Sequence, residues 1–146
     1  MRESILAALK AVLEDIKTGN GYTLSVAHVS RQWKQVEDIS SQQLPAVLII
    51  DDGPEEIEEN TGDVADVSFI VSLIGYVEDH ENPSTALNEL DVAVKKAVAT
   101  NETLGGLITL IEIQPYRTRD VSTLPPFAWF DRPVKIYYEG TFSEGL

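Results

Sequence analysis

The chain has 146 residues, 24 acids, 11 bases and no cysteine, which fits one domain able to bury ~70% of its unfolded surface. Without cysteine there is no disulfide framework, thiolate zinc site or cysteine nucleophile. A formal charge of −13 with no Lys/Arg cluster argues against phosphate-driven, sequence-specific nucleic-acid binding.

The opening MRESILAALKAV carries Glu3 and no long apolar block, so it does not read as a secretory signal. No stretch is apolar for long enough to span a bilayer. A soluble product of the cytoplasm is expected.

Residues 2–17 place Ile5, Leu9, Val12, Leu13 and Ile16 on one helical stripe, closed by Gly19-Asn20-Gly21. Residues 22–29 (YTLSVAHV) alternate as a strand, and 30–43 read as a polar connection containing Trp33. Residues 44–50 (LPAVLII) form a short branched run suited to an interior strand, with Pro45 at its start. DDGPEEIEENTGDVAD, from Asp51 to Asp66, carries eight acids and no base and reads as a solvated loop. Residues 64–77 are the longest strand signal. Apolar residues on both faces near its far end predict a central strand covered on both sides there. With 44–50 it should form an antiparallel hairpin across an acidic turn.

Asn82-Pro83 predicts a helix start, and Leu87, Leu90, Val94 and Val98 give that helix its stripe. Its early acids Glu89 and Asp91 and late bases Lys95 and Lys96 suit the helix dipole. Leu107–Ile113 and Pro133–Phe142 complete the set as strands. The expected fold is a single α+β domain: a mostly antiparallel sheet of about five strands with two helices packed on it.

Gly105-Gly106 follows a helix and precedes a strand, the reverse of a phosphate loop, and no Lys or Arg lies nearby. The pair therefore reads as a turn, with Leu104 docking a short helical turn before it. His28 and His80 lie in no nucleophile motif. The acids around residue 51 lack the EF-hand order, and no helical histidine pair suits zinc. The expectation is no enzyme, no cofactor and no metal.

One segment stands out, STLPPFAWFDRP at 122–133, where Phe127, Trp129 and Phe130 crowd behind two prolines with Arg117, Arg119 and Arg132 nearby. These residues either cap the core or anchor a protein–protein interface, where aromatic residues and Arg are enriched. These six residues are the interface candidates.

The order ILAALKAVLEDI, GYTLSV, LPAVLIIDDGPEEIEE, a strand ending LIGYV, STALNELDVAVKKAV, TLGGL and VKIYYEGTF resembles the tail terminator (tail-to-head joining) proteins of long-tailed bacteriophages over nearly the whole chain. The resemblance implies a small α/β subunit whose hexameric ring caps the tail tube, ends tube polymerisation and joins the tail to the head connector. It implies no reaction and no cofactor. Its partners would be copies of itself, the tail tube protein, the head–tail connector or neck protein and the tail sheath. Its place would be the tail–neck region of a virion assembled in the host cytoplasm. Within that reading Asp51, Asp52, Glu55, Glu56, Glu58 and Glu59 are expected to face the channel and repel passing DNA. A phage neck or head-completion protein, an acidic inhibitor or DNA mimic, and a carboxylate hydrolase are the alternatives.

Overall fold

The computed structural model describes Met1 to Leu146, the side chains of Glu59 and Asn60 excepted. The first helix, α1, spans Arg2–Glu14 and buries Ile5, Leu6, Leu9 and Leu13, each contributing about 1.5–3 kcal/mol. It ends before the glycines. Those close a separate 3-10 turn, Thr18–Asn20, with Gly21 at φ 89°, a left-handed conformation that glycine adopts without steric penalty.

Of the strand expected at 22–29, only β1, His28–Ser30, forms. The amide of Val26 donates to the Ile16 carbonyl, which ties this segment to the end of α1 instead of the sheet. Tyr22, Leu24 and Val26 still pack on the core.

Next come β2 (Ala46–Ile50), β3 (Glu55–Thr61) and β4 (Val64–Glu78). β2 pairs antiparallel with β4, as expected, but only along Ser72–Tyr76. The connection expected as an acidic turn contains β3, which pairs with Val64–Phe69 of the same strand. Backbone groups along that stretch of β4 need partners, and this requirement outweighs the poor strand propensity of EEIEENT.

Helix α2 spans Pro83–Thr100, and Asn82 caps it by accepting from the Thr85 amide. Gly105 and Gly106, at φ 71° and 92°, then turn the chain over a buried Leu104 into β5, Leu110–Ile113.

After β6 (Thr118–Asp120), β7 runs Phe127–Thr141, beginning six residues before its expected start at Pro133. The Pro133 carbonyl accepts from the Gln114 amide, outside β5 and β6. Amide and carbonyl of one strand residue point the same way, so the missing donor of Pro133 faces the break between β5 and β6. The bonds to β4 are untouched, and the strand passes through.

The sheet has seven strands, not five, and it is mixed because β1 runs parallel to β2. β4 and β7 pair along all fifteen residues, about 50 Å of ladder. One end reads β1-β2-β4-β7-β6, and the other β3-β4-β7-β5. The helices cover one face and enclose the main core, including Phe69, Leu73, Phe130, Val134 and Tyr138. A smaller cluster of Val36, Ile39, Ala46, Leu48, Ile74 and Tyr76 covers one end of the opposite face. The two-sided burial expected at the far end of β4 is thus observed. No helix of the described residues is long and apolar enough to cross a membrane.

Candidate functional site

The aromatic–arginine segment lies within β7 and around β6, and the alternation of β7 divides it. Phe130 and Arg132 point to the helix face, and Phe127 and Trp129 to the other. Phe130 is fully buried, tilted against Tyr116 at 5.8 Å between ring centroids. It lies so close to Gly75, its cross-strand partner, that a Cβ there would collide with its ring.

Arg132 is also buried. Its Nη2 donates to both oxygens of Asp91 at 3.0 Å, its Nη1 donates to the Gln114 carbonyl, and its guanidinium lies 3.8 Å from the Tyr116 ring centroid. Lys95 joins Asp91 at 3.1 Å. Phe130 and Arg132 therefore belong to the interior of the subunit and not to its exposed surface. Asp91 is the anchor of Arg132 on α2 and a buried acid beyond the first helical turn, not a dipole-suited surface acid. Its position between Leu87 and Val94, on the apolar stripe, was the signal for this.

Arg117 and Arg119 remain exposed. Arg117 reaches Ser72 at 3.2 Å and Asp131 at 3.6 Å, and Arg119 donates to Asn88. Phe127 and Trp129 are half-buried beside the smaller cluster.

The acids expected in one channel-facing loop are separated as well. Asp51 and Glu55 hold Arg2 at 3.0 and 2.7 Å, next to Phe69 on the helix face. Asp52 is exposed before the strand begins. Glu56 and Glu58 stand in β3 opposite Ser68 and Asp66, on the face away from the helices. Glu59 pairs with Ala65 through its backbone, and its side chain lies outside the described residues.

At that end the sheet face carries no covering layer. Glu56, Glu58, Asp66, Glu139 and Glu112 share it with Lys135, which approaches Glu56 at 3.7 Å. Tyr137 and the partly exposed Leu110 supply apolar surface between these charges. They line a shallow depression of about 480 Å³.

The other end of the same face holds a groove of about 270 Å³ lined by Trp33, Gln35, Val36, Glu37, Tyr76, Leu124 and Trp129. The Tyr76 hydroxyl donates to the Lys34 carbonyl at 2.7 Å. Burial, and then the charge of Glu37, push its phenol up to about 12. Two acids at the ends of strands, Asp79 after β4 and Asp120 in β6, are held as anions by backbone amides. Asp79 accepts from Asn82 and Glu81, and Asp120 from Thr123 and Ser122, so both carboxyls lie below their ordinary range.

His28 lies in β1, and the exposed His80 sits 3.4 Å from Glu78. Among the described residues no three His, Asp or Glu side chains converge as metal ligands. No protein-family model matches the chain, and no curated protein does so either.

Proposed function

We propose that the protein is a structural subunit of a phage tail, forming a ring, hexameric in the resemblance, that caps the tail tube and joins it to the head connector. The observation that carries the reading is the asymmetry of the sheet. One face is closed by two helices, while half of the other is open, acidic and partly apolar. A ring needs two different surfaces that meet head to tail. The exposed Arg117–Arg119 strip, towards the other end of β7 from the open acidic half, offers one such surface.

Within this reading the channel lining keeps Glu56 and Glu58 of the expected acids and gains Asp66 and Glu139 on the same face, while Asp51 and Glu55 are engaged by Arg2. The test is negative-stain imaging of tails assembled with and without the protein. Overlong tubes in its absence, and a density cap at tube ends in its presence, are the expected result. Tubes of unchanged length, with no binding at their ends, would reject it. Binding to the connector alone would favour the neck-protein reading instead.

A further inference from the structure

Trp33 is 57% exposed, an unusual state for a side chain whose large apolar body is normally well covered. Its ring is nonetheless held in place, standing edge-on to Tyr76 with centroids 6.5 Å apart and planes at 66°. Tyr76 is itself fixed by its bond to the Lys34 carbonyl. Trp129 is the direct cross-strand neighbour of Tyr76, so it extends the same aromatic wall. Leu124, 45% exposed, and Val36 complete an apolar trough.

The one charged residue in the lining is Glu37, and among the described residues no base lies within ion-pair distance of it. Three aromatic rings and a carboxylate line the same space. Ring faces attract cations through their quadrupole, and an apolar trough accommodates a methylene stem.

We infer that this groove takes a lysine or arginine side chain from a basic segment of a partner protein, its stem against Trp33, Trp129 and Leu124 and its charge at Glu37. The chain's own balance favours such a partner: at −13 it attracts basic surfaces. Nine of its eleven bases already have a partner within the chain: Arg2, Lys17, Arg31, Lys95, Lys96, Arg117, Arg119, Arg132 and Lys135. A partner of different sequence is therefore favoured over a second copy. The inference does not rest on the tail-capping reading, since the groove can bind in a protein that caps nothing.

The experiment follows the two indole N–H signals by NMR, assigned with Trp33→Phe and Trp129→Phe, while a peptide of alternating Lys and Leu is added. A Gln/Leu peptide of the same length serves as the neutral control. Saturable shifts of both indoles by the basic peptide alone are expected. Trp33→Ala and Glu37→Gln should each weaken binding about tenfold. Glu58→Gln together with Glu139→Gln, on the far half of the face, should change it by less than about twofold. Both groove substitutions are at exposed side chains, so the fold is expected to survive them, and unchanged circular dichroism checks this. Equal binding by the neutral peptide, or wild-type affinity in the two groove variants, would overturn the inference. A larger loss from the far-half pair than from the groove variants would overturn it too.

Discussion

Arg132 shows how far a side chain's role depends on which way its strand turns it. Beside three aromatic residues it reads as a surface anchor, yet it is buried and held by Asp91, the Gln114 carbonyl and the Tyr116 ring, with only its Nε unpaired among its described contacts. A buried ion pair need not stabilise more than a well-packed apolar pair, but removing one partner leaves an uncompensated charge. Asp91→Ala is therefore expected to cost on the order of 3–5 kcal/mol, measured as a lower urea midpoint. A loss below about 1 kcal/mol would indicate that water reaches Arg132 and replaces the carboxylate. Reversal at Arg132 should likewise unfold the subunit, whereas reversal at the exposed Arg119 should leave it folded and test an interface directly.

Among the elements, α2 is the best matched to its sequence. Asn82 caps it, Pro83 opens it, and Leu87, Leu90, Val94 and Val98 are buried. Just before it, Asp79 accepts from the Asn82 and Glu81 amides and shapes the entry. Asn82→Ala is predicted to destabilise by about 1 kcal/mol, read from urea unfolding, with Asn82→Asp close to wild type because aspartate caps equally well. The strands were read less completely. β3 was hidden by its acids and β6 by its three-residue length. The first six residues of β7 were hidden by Pro133, whose missing donor falls at a break between neighbouring strands. Each forms because a neighbouring strand, β4 or β7, supplies partners for its backbone, which the pattern within the segment does not carry.

At the scale of the whole molecule, the central pair β4–β7 runs about 50 Å, while the eighteen residues of α2 span about 27 Å. On the face opposite the helices, the small cluster around Val36 and Ile39 covers one end only. The uncovered remainder carries five acids against Lys135. If that surface lines a channel, replacing Glu58 and Glu139 with Lys should leave tails assembled while slowing DNA ejection, because attraction replaces repulsion. Ejection kinetics from otherwise complete particles check this, and wild-type rates would place the acids on the outside. Arg2 tests the same division from the other side. Its pairs with Asp51 and Glu55 hold two of the expected lining acids on the helix face.

The α+β class, both helices, the capped start of α2, the glycine turn after it and the two-sided burial at the end of β4 were determined by the sequence itself. These features rest on periodicity and on residues whose backbone preferences act locally. Tertiary structure alone decided that the acidic stretch is a strand, that Phe130 and Arg132 face inward while Trp129 faces outward, and that Trp33 meets Tyr76 and Glu37 across a groove. Such outcomes follow from strand pairing and register, where a shift of one residue exchanges the faces of every side chain.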